Sequence, residues 1–369
     1  MFLRRLTLSN FRNYSDLEIE PAPGLNVFVG DNAQGKSNLL EGIAMLGTGK
    51  SFRTSRDGDT VRQGCTRAVL HGEAAMRAGT VDLTCTIERA SRGTQKTYTV
   101  NGSAVRYAGY LGRIRVVPFV PSDLQLASGP PGTRRAFLNG ALSQSEPGYY
   151  HELARYRKAL QQKNALLRGA VAPDDELLGV YDRTLVEAGT HIILARERFV
   201  QALAERAAGA HERFAAGERL DVTYEPDVAF ESPDAQLVTA SFEQRLRHVA
   251  EAERGRKAAI AGPHRDDLGL SVNGVGLAAY GSQGQQRTAV LALKIAEYHV
   301  MKERAGEAPL LLLDDVLSEL DEERGSAFLA EISTYEQAFV TATHPPAGLP
   351  ASARLARVRE AVVYAGALC

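Results

Sequence analysis

The stretch GDNAQGKS, running Gly30, Asp31, Asn32, Ala33, Gln34, Gly35, Lys36 and Ser37, fills the template G-x-x-x-x-G-K-[ST]. In such a loop, successive backbone N–H groups wrap a phosphate chain on a turn that leaves a strand and opens a helix. Both flanks agree. Before Gly30 runs GLNVFV, which predicts a buried strand, and after Lys36 runs SNLLEGIAML, with apolar residues at helical spacing. A second GKS stands inside GTGKSFRT (47–54). There the template needs glycine at position 44, where the chain has Ala44, and a helix precedes it instead of a strand. Lys50 is therefore not a second phosphate lysine.

Outward from the loop, the first 120 residues read as strands: FLRRLTLSNF, RAVLHGEAAM, TVDLTCTIER and KTYTVNG, the last closing in an Asn-Gly turn. From about Pro121 the pattern shifts to long Ala/Leu/Arg/Glu-rich helical periods, including YYHELARYRKALQQKNALLR and the run from Val180 to about Ala216. Sustained heptads are lacking, which argues against an extended coiled coil. Strand-like segments return at LGLSVNGV, followed by a helix from about Gln285 to Glu303, then PLLLLDD and QAFVTAT. The expected fold is α/β: a mixed sheet with the phosphate loop, an antiparallel lobe and an inserted helical lobe. The ATPase domain would be assembled from 1–120 and 262–369, with 121–261 as a mainly helical lobe carrying the signature-side arm.

PLLLLDD ends an apolar strand in two carboxylates, the form that presents acid to a metal beside a phosphate loop. In such a site Lys36 would neutralise the β and γ phosphates of ATP, while Ser37 and Asp314 would hold Mg²⁺. Asp315 would position or polarise the attacking water. The alternative is a solvated strand end. YGSQGQQR (280–287) offers a second loop-to-helix start with free N–H groups. One complete phosphate loop already has its anion, so this start would serve a nucleotide held by another copy; otherwise it is an ordinary turn capped by Ser282.

Lys and Arg number 43 against 44 Asp and Glu, so any nucleic-acid contact must come from a local basic surface. Cys65, Cys85 and Cys369 have no metal-ligand spacing and are too few for a disulfide framework. The N-terminal MFLRRLTLSNFRNY lacks the apolar core of a signal peptide, and no apolar run approaches a membrane span of ~20 residues. A cytoplasmic soluble protein is expected.

The ordered set GDNAQGKS, SQGQQ, LLLLDD and SELD resembles the ATP-binding-cassette ATPases, in which the signature of one subunit closes over nucleotide held by the other. With NFRNY (10–14), GKSFRT, RRAFLN (134–139) and GPHRDDL (262–268), it is similar to the RecF family of bacterial recombination mediators across nearly the whole chain. The resemblance implies nucleotide contacts from Arg12, Asn13 and the loop residues through Asn38, with Asn32 near the phosphate or attacking water. It also implies signature contacts from Ser282 and Gly284 across a dimer, and a coupling loop holding Asp321. Where the cassette ATPases usually carry Glu, Asp315 has a shorter arm, which implies slow hydrolysis. Gln125 is the candidate for the glutamine at the entry to the helical lobe, and His344 for the histidine after QAFVTAT.

The resemblance further implies a weak, DNA-stimulated ATPase that dimerises around two ATP molecules on double-stranded DNA at single-strand/double-strand junctions. RecR and RecO would be partners, and loading of the recombinase RecA the outcome. Two groups are candidate DNA contacts: Arg155, Arg157, Lys158, Lys163 and Arg168, and Arg245, Arg247, Arg254, Arg256 and Lys257. The rivals are the motor subunit of a membrane transporter, an SMC-like head, and a small-molecule kinase. The long helical insertion argues against the first and the missing coiled coil against the second; no phosphoacceptor segment supports the third.

Overall fold

The computed structural model describes residues 1–91, 93–169 and 174–365, so Cys369 lies outside them. By internal contacts the chain forms two units, 1–123 with 297–369, and 124–296.

In the first unit, β1 (Phe2–Phe11), β2 (Tyr14–Ile19) and β3 (Gly24–Val29) lead into α1 (Lys36–Thr48). Then come β4 (Arg67–Met76), β5 (Gly79–Arg89), β6 (Thr94–Val100), β7 (Ser103–Val105), the short α2 (Tyr107–Tyr110) and β8 (Val116–Phe119). The strands β2-β1-β4-β5-β6-β7 form an antiparallel sheet. Along β1 the buried residues are Leu3, Leu6, Leu8 and Phe11. The odd step from Leu3 to Leu6 is absorbed by a register shift between Leu3 and Arg5 in the pairing with β4.

The second unit holds α3 (Gln125–Ser128), α4 (Pro131–Ser145), α5 (Tyr149–Leu167), the 40-residue α6 (Asp175–Phe214), β9 (Leu220–Glu225) and α7 (Ala235–Arg256). It continues through β10 (Asp267–Val272), β11 (Val275–Gly276) and α8 (Leu277–Tyr280) into α9 (Gln283–Ala305), whose last turns belong to the first unit. That first unit is completed by β12 (Leu310–Asp314), α10 (Glu322–Ile332), β13 (Gln337–Ala342), β14 (Arg354–Arg359) and β15 (Val362–Ala365). Its second sheet has the order β15-β14-β3-β13-β12-β8, parallel except for the β14–β15 hairpin. One apolar core joins the two sheets around α1, whose Leu39, Leu40, Ile43, Met45 and Leu46 lie among Leu3 and Leu8 of one sheet and Leu310, Leu312 and Phe339 of the other. Burying each such leucine contributes about 2 kcal/mol. The helix fits because Gly42 and Gly47 carry no side chain: a methyl there would lie 2.9 Å from the Leu8 methyls and 2.8 Å from a Val116 methyl.

In the second unit α5 packs on α6, α6 on β9 and α7, and α4 on β10, with β11-β10-β9 as a small antiparallel sheet. The side chains of Asp174 and Asp234 cap the starts of α6 and α7. Here RRAFLN and GPHRDDL acquire a role. Buried Arg196 donates to Asp266 and to the Pro263 carbonyl, each at 2.6 Å, to Asn139 at 3.0 Å and to the Tyr149 hydroxyl at 3.2 Å. Arg134 grips Asp267 through two bonds of 2.7 Å, and Tyr224 donates to Asp266. The His264 imidazole meets the Tyr156 hydroxyl at 2.6 Å, and burial holds its pKa below the usual histidine value. These motifs tie α4, α6, β9 and β10 together.

Two sequence expectations change. The contacts place the second boundary at 297 instead of 262, because LGLSVNGV pairs with β9 inside the second unit. Lys163 is not a surface cation: it is buried between Asp182 and Glu253 at 2.6 and 2.5 Å. Arg155, Arg245, Arg247 and Arg254 are paired with Glu187, Asp227, Glu243 and Asp175. Among the described residues no helix is long and apolar enough to cross a membrane.

Candidate nucleotide site

β3 delivers the loop at its C-terminal end, where parallel strands expose their crevice. Gly30 and Gly35 have φ of 157° and 120°. A methyl on Gly30 would lie 2.2 Å from the Val358 carbonyl oxygen, and one on Gly35 2.9 Å from the Tyr14 hydroxyl, so the loop is packed from behind on both sides. Tyr14 donates to the Gly35 carbonyl at 3.1 Å. Gln34 accepts from the backbone of Glu360 at 2.7 Å through its side chain and of Ala361 at 3.0 Å through its carbonyl, which fastens the loop to the β14–β15 turn.

Lys36, the first residue of α1, is 8% exposed and donates to the carbonyls of Gly30 at 2.5 Å and Asp31 at 2.8 Å. Burial lowers its pKa, while the carboxylates of Asp315, Asp314 and Asp31 act in the opposite sense. Asp314 is buried at the end of β12 and accepts from Thr341 at 2.8 Å; the Thr341 oxygen in turn accepts from the Asp315 backbone N–H at 3.0 Å. Thr341 belongs to β13, the strand between β3 and β12, so one hydroxyl sets both carboxylates beside the loop. Asp315 sits at φ 55°.

A cavity of about 310 Å³ is lined by Asn13, Asn32, Ala33, Gly35, Lys36, Ser37, Asn38, Arg53, Asp315 and Thr341. It brings together residues from opposite ends of the chain. The Ser37 hydroxyl makes no hydrogen bond among the described residues. Ser37 and Asp315 line this cavity and Asp314 ends the adjacent strand β12; hydroxyl and carboxylate oxygens are the donor type that Mg²⁺ beside phosphates would take. Gly30, Asp31, Gln34 and His344 line a separate cavity of about 520 Å³ with Arg357 and Arg359. His344 also lines a groove with Asp315, Ser318 and Asp321, and Asp321 caps α10 by accepting from the Arg324 N–H at 2.9 Å.

Sequence reasoning missed the support behind the loop. Glu41, a fully buried carboxylate inside the apolar run of α1, receives Arg12 at 2.8 and 2.5 Å and Ser51 at 2.5 Å. Arg12 gives its remaining nitrogen to the Asp59 carbonyl at 2.7 Å, and its φ is 53°. Asn13 accepts from Asn38 at 2.7 Å, and Asn38 accepts from Arg53 at 2.5 Å. NFRNY and GKSFRT thus converge on the first turns of α1. Arg53 lines the Lys36 cavity; its only signal in the sequence was its place in GKSFRT.

Ser282 and Gly284 lie at the start of α9 in the second unit. Ser282 accepts from the Gln285 N–H at 3.2 Å and the Gln285 side chain accepts from the Ser282 N–H at 3.1 Å, a reciprocal cap. Gln125 is exposed at the start of α3.

The fold and this site define an SMC-type ATPase head with a phosphate loop. The family profile described as RecF/RecN/SMC N terminal domain matches residues 2–361, and the chain belongs to that family. It is 43% identical to the DNA replication and repair protein RecF of Symbiobacterium thermophilum over 98% of both chains. To the RecF of Gloeobacter violaceus it is 42% identical over 93% of this chain and 92% of that one. Among solved structures it is similar to the recombination mediator protein RecF with ATP in the RecFOR pathway, with a TM-score of 0.90, 29% identity, and coverage of 99% of this chain and 98% of that one. The Smc head domain of Pyrococcus furiosus shares the fold at a TM-score of 0.57 and 15% identity, covering 100% of this chain and 96% of that one.

Proposed function

We propose that the protein is an ATP-dependent DNA-binding recombination mediator of the RecFOR type. Two copies close on two ATP molecules over double-stranded DNA at gap junctions. Each nucleotide is held by Gly30–Ser37 of one copy and by Ser282 and Gly284 of the other, with Arg12, Asn13, Asn32, Asn38 and Asp321 supporting the contact. Lys36 neutralises phosphate charge. Ser37 and Asp314 would hold Mg²⁺, which would supply neutralisation of the charge on the phosphates. Asp315 accepts a hydrogen bond from the attacking water and orients it, and His344 contacts the phosphate end. Slow, DNA-stimulated hydrolysis to ADP and phosphate reopens the dimer, so ATP acts through its preference for the closed state. RecR and RecO are the partners of this reading, with recombinase loading as its outcome in the cytoplasm.

The cavity that gathers Lys36, Ser37 and Asp315 from the two ends of the chain supports the reading most directly. Sedimentation velocity with Mg·ATP on Asp315→Asn, with and without a short duplex, tests it. The expected result is a monomer that becomes a duplex-carrying dimer only with ATP. A species that stays monomeric and ignores duplex would overturn it.

A further inference from the structure

Between Leu153 and Gly169 the chain has five basic residues and no acidic one. The structure consumes two of the five. Lys163 is buried between two carboxylates, and Arg155 pairs with Glu187 of α6 and Glu152. Arg157, Lys158 and Arg168 remain exposed, and none of them forms an ion pair among the described residues.

Their arrangement follows from helix geometry. Leu153, Tyr156, Ala159, Lys163 and Leu167 are the buried side of α5. Arg157, Gln161 and Arg168 recur at i, i+4 and i+11, which places them along one line on the solvent side, with Lys158 on the adjoining line. Gln161, Gln162 and Ala165 between them add no negative charge. Arg157 and Arg168 are separated by a rise of about 16 Å. This exceeds the ~12 Å width of the DNA major groove, so the two guanidinium groups can reach phosphates on opposite banks while Gln161 stays between them.

We propose that this face of α5 is the surface that contacts the phosphates of duplex DNA. The inference rests on the DNA-binding reading above. Charge complementarity carries it: three long cations without acidic partners keep their full attraction for a polyanion, whereas their ion-paired neighbours on the same helix do not. Contacts of this kind position a duplex without reading its sequence.

The test is binding of a fluorescent 20-base-pair duplex across a salt series, with Mg·ATP, for the wild-type chain and the triple variant Arg157→Ala/Lys158→Ala/Arg168→Ala. Alanine keeps α5 helical, which thermal unfolding verifies. The triple variant should lose about tenfold or more in affinity at 100 mM salt. The slope of log affinity against log salt should fall by about 2 to 3, as expected for three lost phosphate contacts. Arg155→Ala on the same helix should change affinity less than twofold. A triple variant with wild-type affinity and slope would overturn this surface while leaving the DNA-binding reading intact. A wild-type chain that fails to bind duplex would remove both.

Discussion

The guanidinium of Arg12 closes on the buried carboxylate of Glu41 through two hydrogen bonds, and the same carboxylate holds the Ser51 hydroxyl. Glu41 thereby anchors two loops to the helix that begins at Lys36. Glu41→Ala leaves Arg12 without its partner, which costs about 3 kcal/mol, as is usual when one member of a buried pair is removed. Urea unfolding measures the loss. ATP affinity should fall with it, because Asn13 and Arg53 lose their fixed positions at the cavity wall. Unchanged unfolding midpoints would show that the pair has no stabilising role.

Lys36→Met and Asp315→Asn should separate binding from turnover. The methionine variant is expected to lose ATP-driven dimerisation, since it removes the cation that meets the phosphates. The asparagine variant is expected to retain ATP and accumulate as a closed dimer. Release of ATP by Asp315→Asn as fast as the wild-type chain hydrolyses it would rule out the water-positioning role. Filter binding and single-turnover assays report both.

Ser282→Arg should bind ATP as a monomer and fail to dimerise, because the bulky cation replaces the small cap at the start of α9. Light scattering with Mg·ATP checks this. Normal dimerisation by the variant would sink the composite site.

His264 predicts the direction of acid sensitivity. Its ring is packed against Tyr156 and its Nε2 faces the Ala259 carbonyl, with Arg265, Asp227 and Asp266 nearby; burial is the main cause of its lowered pKa. The unfolded chain takes up a proton near pH 6.5 while the folded chain does so only at lower pH. The stabilisation is therefore complete above about pH 6.5 and is lost as pH falls toward the folded pKa. Chemical unfolding at pH 7.5 and 5.5 should show a steeper loss for the wild-type chain than for His264→Gln. Equal slopes would assign the acid sensitivity to other groups.

The phosphate-loop strand, its helix and the strand ending at Asp314 were legible because each is mostly apolar and has a motif at its end. The C-terminal hairpin was not. In RLARVR the exposed arginines mask the buried Ala356 and Val358, and its turn uses Glu360 and Ala361 at φ 50° and 60°, where sequence reading looks for Gly or Asn. Glu41 escaped notice because a lone carboxylate in an apolar helix looks like an exposed position until its partners arrive from two distant loops. The RRAFLN and GPHRDDL motifs were visible as words, yet their meaning as a buried ion-paired network depends on strands β9 and β10 meeting α4 and α6.

The neighbours of β3 set an order on the life of the chain. The strand that carries the phosphate loop hydrogen-bonds to β13 on one side and β14 on the other, and the loop is wedged against Val358 and Glu360. During synthesis, then, β3 leaves the ribosome about 300 residues before either of the strands that flank it in the sheet. The newborn chain carries the phosphate-loop sequence in full, yet the strands that flank it and the turn that backs it are among the last to emerge.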